Sequence, residues 1–205
     1  MINIYNQDCM EAMREMADNQ FDLAIVDPPY RDKNNPTNQM RDKLGGNMQN
    51  FGFKPTKEFF VQLFRISKNQ IIWGANNFIE HLYSTNCFLF WYKRNPWPTY
   101  SDGELAWTSF NSVAKCIPID HFGNNTKDKI KFHPTQKPVM LYEWLLINYA
   151  KEGDKILDTH LGSGSIAIAC HNLGFDLTGY EIDKEYFEAA NKRIEEHKQQ
   201  KRLFI

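Results

Sequence analysis

The sequence predicts an α/β fold, a doubly wound mixed sheet with an antiparallel hairpin at one edge. Short apolar runs alternate with segments of helical period through most of the chain. A glycine-containing loop joins a strand to a helix at residues 158–166. Two further strands are indicated at 104–110 and 113–117, which flank Asn111-Ser112 as hairpin strands flank a turn. With 205 residues and no linker or repeat, the chain fits one domain spanning 1–205.

The predicted elements follow one another in a regular order. They are strand 2–5, helix 8–16, strand 21–26, helix 55–66, strand 70–73, strand 86–92, the hairpin, helix 139–149, the strand–helix–strand unit 154–183 and helix 183–198. Residues 31–54 show neither pattern. Because ordered loops of this length are usually functional, we expect a binding loop there.

Strand 21–26 leads into the most informative motif, Asp27-Pro28-Pro29-Tyr30. The carboxylate of Asp27 and the carbonyl of Pro28 can each accept a hydrogen bond from one exocyclic amino group. Tyr30 offers a face on which a flat base can stack. Two acceptors on the amino hydrogens favour a pyramidal nitrogen that attacks an electrophile. The plainer alternative is a proline turn after a strand, with Asp27 as a cap.

Residues 154–183 have the pattern of a nucleotide-binding βαβ unit. Gly162 and Gly164 allow backbone N–H groups to approach a ligand closely. Glu181 ends the second strand about 20 residues beyond the loop, where such folds bind a ribose diol. The loop lacks the third glycine of a dinucleotide motif and the lysine of a P-loop. The pattern therefore counts against a dinucleotide or a triphosphate and favours S-adenosylmethionine, a cofactor with a ribose and a zwitterionic tail. An ordinary tight turn is the plainer alternative for the loop.

Cysteine usage indicates a reduced, cytoplasmic protein. The four cysteines, Cys9, Cys87, Cys116 and Cys170, show no metal-binding spacing, so we expect no metal. The sequence has no basic–apolar signal at its start and no apolar run of membrane length. We therefore expect no membrane partner.

Three motifs together resemble those of the amino-methylating DNA methyltransferases. They are the Asp-Pro-Pro-Tyr motif, the Asp-x-x-x-Gly-Ser-Gly loop that begins at Asp158, and the His-Pro-Thr-Gln-Lys-Pro segment at 133–138. Their order resembles the permuted, beta class of that family, and the resemblance covers residues 3–193. It implies a Rossmann-like fold of the S-adenosylmethionine-dependent methyltransferase type. It also implies double-stranded DNA as substrate and a homodimer.

The resemblance assigns functional roles residue by residue. Asp27, Pro28, Pro29 and Tyr30 correspond to the catalytic motif. The positions that match cofactor-binding motifs are Asp8, Cys9, Asp27, His133, Thr135, Lys137, Asp158, His160, Leu161, Gly162, Ser163, Gly164 and Glu181. Thr159 and His160 stand where the family usually has Pro-Phe, although an imidazole can also cover a cofactor face. The implied regions are a catalytic half at 1–117, a connector at 118–132 and a cofactor half at 133–205.

Positive charge is concentrated in two regions, although the net charge is only −1. Residues 31–68 carry eight bases against three acids, and residues 93–138 carry seven against four. Such regions favour contact with phosphates, whereas a merely solvated face is the alternative. Aromatic residues interleave with the bases after strand 86–92, where they could line the pocket of a flipped base. The candidate DNA-binding residues are Arg31, Lys33, Arg41, Lys43, Tyr92, Lys93, Arg94 and Trp97.

The leading prediction is a site-specific DNA methyltransferase that flips a base and methylates N6 of adenine by direct in-line transfer. The tyrosine form of the motif is more usual for adenine, but N4 of cytosine is the close alternative because the two amino groups are alike. Methylation of RNA or of a protein glutamine amide is a further alternative. The protein-amide enzymes that resemble this fold have Asn at the position of Asp27, which argues against them. An inactive nucleic-acid-binding module is the last alternative, and the intact catalytic motif argues against it.

Overall fold

The computed structural model describes residues 1–30, 54–94, 101–120 and 136–199. Within these ranges, eight strands form one sheet. The strands are β1 Ile2–Asn6, β2 Phe21–Val26, β3 Ser67–Trp73, β4 Phe88–Tyr92, β5 Gly103–Thr108, β6 Lys115–Pro118, β7 Lys155–Asp158 and β8 Asp176–Glu181. The α-helices of the same ranges are α1 Cys9–Glu15, α2 Lys57–Ile66, α3 Val139–Tyr149, α4 Ser165–Leu173 and α5 Lys184–Gln199. Two short 3-10 turns, Ala75–Asn77 and Ile79–His81, follow β3.

The strand order is β1-β8-β7-β2-β3-β5-β4-β6. Neighbouring strands from β1 through β3 run parallel, and β5 runs antiparallel to both of its neighbours. The chain leaves β2 towards β3 on one side and leaves β7 towards β8 on the other. The adjacent strands β2 and β7 therefore form a topological switch point, where ligands bind in open α/β sheets. The predicted doubly wound mixed sheet is confirmed.

Each face of the sheet has its own hydrophobic core. Strand β2 divides its side chains between the two cores, with Leu23 and Ile25 in one and Ala24 and Val26 in the other. Helices α3, α4 and α5 contribute to the first core, and α1 and α2 contribute to the second. A strand buried on both faces reads as a continuous apolar run, which is why the sequence 21–26 predicts a central strand. The carboxyl end of β2 is consequently packed on both faces.

The predicted hairpin between 104–110 and 113–117 is wrong. Strands β5 and β6 form close to these positions, but they do not pair with each other. Both edges of β5 are occupied, by β3 and β4, so β6 pairs in parallel with the free edge of β4. An antiparallel hairpin does lie towards this edge of the sheet, but it joins β4 and β5, with Phe90 opposite Leu105.

The other element boundaries agree with the predictions within a few residues. Helix α3 has the predicted limits, and α2 begins at Lys57 because the preceding Thr56 is extended and occupies the N-cap position. Strand β3 begins three residues earlier than the predicted 70. The predicted binding loop at 31–54 lies, except for its last residue, outside the described residues. None of the described helices is long and apolar enough to cross a membrane.

Candidate active site

The carboxyl ends of five neighbouring strands bring the candidate residues to one edge of the sheet. Asp8, Asp27, Gly74, Asp158 and Glu181 lie at or just beyond the ends of β1, β2, β3, β7 and β8. Their strands are hydrogen-bonded neighbours, so residues far apart in sequence converge. This convergence is the arrangement that the predicted motifs require.

Asp27 is held by two donors. Its Oδ1 accepts a hydrogen bond from the hydroxyl of Tyr30, and its Oδ2 accepts one from Nζ of Lys137. Burial raises the pKa of Tyr30 well above its usual value, and the charge of Asp27 raises it further. Tyr30 is therefore a hydrogen-bond donor and a ring surface, and it is not a base.

The ring of Tyr30 is fixed by its neighbours. It packs edge-on against Phe78, with 5.9 Å between ring centroids. On another side it lies directly against the backbone of Gly74, whose φ is +68°. The 3-10 turn that begins at Ala75 holds the backbone of Gly74 in place, since Asn77 Nδ2 donates to the carbonyl of Gly74 at 3.0 Å.

A row of alternating charges extends behind Asp27. Nζ of Lys137 lies 2.9 Å from Oε2 of Glu104, and Nζ of Lys93 lies 2.5 Å from Oε1 of the same carboxylate. Burial favours neutral Glu104, but the two lysines outweigh it and lower the pKa of Glu104 to about 2. Burial likewise opposes the charge of Lys137, yet Asp27 and Glu104 prevail and raise the pKa of Lys137.

The end of β7 carries Asp158, which is 2 % exposed. Its Oδ1 accepts a hydrogen bond from the backbone N–H of His160 at 3.0 Å. Burial raises the pKa of Asp158 to about 8, and the charges of Asp27 and Glu181 contribute in the same direction. The carboxyl of Asp158 is therefore mostly protonated at pH 7.

His160 occupies the position at which the resemblance expects an aromatic ring. Its imidazole packs edge-on against Phe59 at 5.5 Å, and its Nδ1 lies 2.9 Å from Oγ1 of Thr159. Desolvation lowers the pKa of His160 to about 4, although the charge of Asp8 opposes this. The ring is neutral at pH 7 and acts as an aromatic wall.

Glu181 anchors the glycine loop. Its Oε2 accepts from the backbone N–H of Gly162 at 2.8 Å, and its Oε1 accepts from that of Asp183 at 2.9 Å. Burial raises the pKa of Glu181. Each carboxylate oxygen has a second lone pair, so Glu181 can still accept hydrogen bonds from the two hydroxyls of a ribose.

The start of α1 borders the same pocket. Asp8 caps the helix by accepting from the N–H of Met10 at 2.8 Å. Cys9 is buried, and burial raises its pKa to about 12, with Asp8 and Asp158 adding to the effect. Cys9 is therefore a small apolar surface beside Asp158 and not a nucleophile.

The remaining predicted cofactor residues lie in the loop or outside the described residues. Leu161, Ser163 and Gly164 are buried, and Arg193 of α5 holds the loop by donating to the carbonyl of Ser163 at 2.8 Å. His133 and Thr135 lie outside the described residues. Lys137, which the resemblance assigns to the cofactor, donates a hydrogen bond to the carboxylate of Asp27.

The predicted DNA-binding residues are only partly described. Tyr92 is 41 % exposed and stacks on Phe90. Lys93 turns inward to Glu104 and the Trp91 ring, whereas Arg94 lies 3.7 Å from Asp120 with its side chain 52 % exposed. Arg31, Lys33, Arg41, Lys43 and Trp97 lie outside the described residues.

Two residues of the site do not emerge from the sequence. Glu104 stands in a predicted strand with no assigned role, although a carboxylate in the apolar run 103–108 is a signal of a buried ion pair. Gly74 follows a predicted strand, and only its position against Tyr30 reveals its role. Among the described residues, no group of three or more His, Cys, Asp or Glu could hold a metal ion.

The chain belongs to the DNA methylase family N6_N4_Mtase, whose family model matches residues 1–192. The type II methyltransferase M.HpaI of Haemophilus parainfluenzae is 26% identical over 233 residues, which cover 91% of this chain and 72% of that protein. The type II methyltransferase M2.DpnII of Streptococcus pneumoniae is 26% identical over 239 residues, which cover 94% and 89% of the two chains. The family predicted from the three motifs is confirmed.

Solved structures share the fold. The M1.HpyAVI–SAM complex has a TM-score of 0.66 and 24% identity, and the match covers 95% of this chain and 99% of that one. The cytosine-N4-specific PvuII DNA methyltransferase has a TM-score of 0.66 and 13% identity, with 100% and 88% covered. The putative DNA modification methylase TTHA0409 of Thermus thermophilus, complexed with S-adenosyl-L-methionine, has a TM-score of 0.63 and 14% identity, with 98% of each chain covered.

Proposed function

We propose that this protein transfers a methyl group from S-adenosylmethionine to N6 of adenine in double-stranded DNA. The observation that carries the proposal is the position of Asp27 and Asp158 at the ends of adjacent parallel strands, β2 and β7. The catalytic motif and the glycine loop thus open into one crevice at the switch point. The names of M.HpaI and M2.DpnII, both type II methyltransferases, support methyl transfer without stating the base.

The residues of the loop fit the proposed cofactor. Glu181 retains acceptor lone pairs for a ribose diol and accepts from the backbone N–H of Gly162, while Gly164 lets the loop pack closely against Ala190 and Ile194 of α5. His160 and Cys9 offer neutral surfaces for the apolar parts of the ligand. S-adenosylmethionine would supply an electrophilic methyl carbon in this crevice. The solved SAM complexes of proteins with the same fold support this assignment.

The chemistry assigned to this chain is to hold one amino nitrogen for in-line attack. The target base leaves its duplex, since its amino group cannot be approached in line within the stack. Tyr30 stacks on the base, while Asp27 Oδ1 and the Pro28 carbonyl accept the two amino hydrogens. As the bond from nitrogen to the methyl carbon forms, the bond from that carbon to the sulfur of the cofactor would break and leave its electron pair on sulfur, and a proton passes from the nitrogen to Asp27 or to water. Proximity supplies a large part of the rate.

The first experiment identifies the methylated base. Unmethylated DNA is incubated with the protein and isotopically labelled S-adenosylmethionine, then digested to nucleosides for mass spectrometry. We expect label in N6-methyladenine. Label in N4-methylcytosine would keep the mechanism and change the base, and the cytosine-N4-specific PvuII enzyme, which shares the fold, makes this the second candidate.

Two aspartate variants connect the activity to the site. Asp27→Asn removes the charged acceptor and is expected to abolish labelling. Asp18→Asn is the matched control, because Asp18 lies on the surface before β2 and pairs with Arg65. Cofactor binding without label in any DNA nucleoside would contradict the proposal and point to RNA or protein as substrate.

A further inference from the structure

We propose that Lys137 is a positioning residue for Asp27, and that Glu104 in turn holds Lys137. This inference rests on the proposed function, in which Asp27 accepts a hydrogen from the target amino group. It departs from the family resemblance, which assigns Lys137 to the cofactor.

The surroundings of Lys137 direct its ammonium group to two carboxylates. The side chain is 3 % exposed, and a buried ammonium requires compensation by charge and hydrogen bonds. Nζ donates to Oδ2 of Asp27, and it lies 2.9 Å from Oε2 of Glu104 and 5.4 Å from the centre of the Trp73 ring. Asp27 and Glu104 therefore compensate the charge of Lys137.

The contact fixes the orientation of the Asp27 carboxylate. Oδ2 accepts from Lys137 and Oδ1 accepts from Tyr30, each through one of its two lone pairs. Two donors on different oxygens fix the plane of the carboxylate. The second lone pair of Oδ1 is therefore held in one direction, which is what a pre-organised acceptor requires.

Glu104 gives Lys137 its own support. It projects from β5, whose neighbour β4 leads directly to Lys93. Lys93 binds the other oxygen of Glu104 and lies 4.9 Å from the Trp91 ring. Four side chains of alternating sign, in the order Lys93, Glu104, Lys137 and Asp27, thus connect β4, β5, the segment before α3 and the end of β2.

A double-mutant cycle tests the contact without reference to activity. Thermal unfolding is measured for Asp27→Asn, Lys137→Met and the double variant. We expect each single variant to lower the unfolding temperature, because it leaves the other partner buried without its opposite charge. The double variant should lower it by less than the sum of the two single effects, because both charges of the pair are then removed. Additive losses would overturn the inference.

Kinetics test the role. At saturating DNA and cofactor, Lys137→Met is expected to reduce kcat by about 100-fold, because the acceptor is no longer held in place. Its Kd for cofactor, measured by calorimetry, should stay within about threefold, since the lost contact is made to Asp27 and not to the cofactor. Lys137→Arg should recover part of kcat by keeping the charge. Lys151→Met, at an exposed lysine, is the matched control.

The outcomes separate the two proposals. If the cofactor Kd rises in step with the loss of kcat, Lys137 binds the cofactor and the inference is overturned. If the wild-type enzyme binds cofactor but labels no DNA, the proposed function fails, and the positioning role fails with it. An additive cycle in an active enzyme overturns the positioning role alone.

Discussion

Gly74 lies so close to Tyr30 that a Cβ atom at position 74 would overlap Cε1 of the tyrosine ring. The φ of Gly74 is +68°, a conformation that residues with a side chain rarely adopt. Two independent requirements for glycine therefore coincide at the end of β3. Both serve the position of the ring that is proposed to stack on the target base.

Gly74→Ala is expected to displace Tyr30 and to reduce kcat by about 100-fold. The variant is also destabilised by about 1 kcal/mol, because alanine is strained in the left-handed backbone conformation of this position. Gly153→Ala isolates that strain, because Gly153 has φ +85° and no atom of the described residues lies within 4 Å of the place its methyl group would take. Steady-state kinetics on both variants, with unfolding as a check, separates the two effects. Equal kcat values for the two variants would contradict the role of Gly74.

Glu181→Gln tests the anchor of the glycine loop. Gly162 and Asp183 donate to different oxygens of Glu181, and in glutamine one of these oxygens is replaced by an NH2 group that cannot accept. One backbone N–H loses its partner, and we expect a loss of about 1 kcal/mol in stability together with roughly tenfold weaker cofactor binding. Calorimetric titration measures the affinity. Glu185→Gln, at an exposed position in the first turn of α5, is the control and should leave affinity unchanged.

The parts of this site that could be predicted are those whose geometry depends on a single continuous stretch of sequence. The apolar run 21–26 followed by Asp27 predicts a carboxylate at a strand end, and the spacing from Gly162 to Glu181 predicts their proximity. In both cases the local pattern determines the geometry, because a parallel strand–helix–strand unit returns the chain to the same edge.

The parts that could not be predicted depend on partners distant in sequence. Lys137 and Asp27 are 110 positions apart, and no local pattern states which carboxylate a lysine will meet. The predicted pairing of β6 is wrong for a related reason. Its residues predict a strand, but the strand's partner is decided by β3 and β4, which occupy both edges of β5.

Asp158 makes stability fall as pH rises. Its folded pKa is about 8, above its ordinary value of 3.8, so the folded protein retains a proton that the unfolded chain releases. The stabilisation is complete below pH 3.8 and is lost as pH rises through 8, by up to about 1.4 kcal/mol per pH unit. Asp158→Asn is expected to flatten this decline between pH 5 and 8, measured by denaturant unfolding at each pH. An unchanged slope would contradict the burial of a protonated Asp158.

His160 contributes the opposite dependence at lower pH. Its folded pKa is about 4, below its ordinary value of 6.5, because desolvation disfavours the imidazolium. The unfolded chain takes up a proton first, so this contribution to stability is present above pH 6.5 and is lost as pH falls through 4. The resemblance places a phenylalanine at this position, and a phenyl ring has no such penalty.

His160→Phe should therefore keep the edge-on contact with Phe59 and reduce the loss of stability between pH 6.5 and 4. Relative to the wild type, the free energy of unfolding of the variant is expected to rise by about 1 kcal/mol for each unit by which the pH falls within this range. Unfolding at about pH 7 and again near the folded pKa of about 4 provides the measurement. His171→Phe is the matched control, because His171 lies in the last turn of α4, away from the glycine loop. The same gain in both variants would show that the effect does not arise from the particular surroundings of His160.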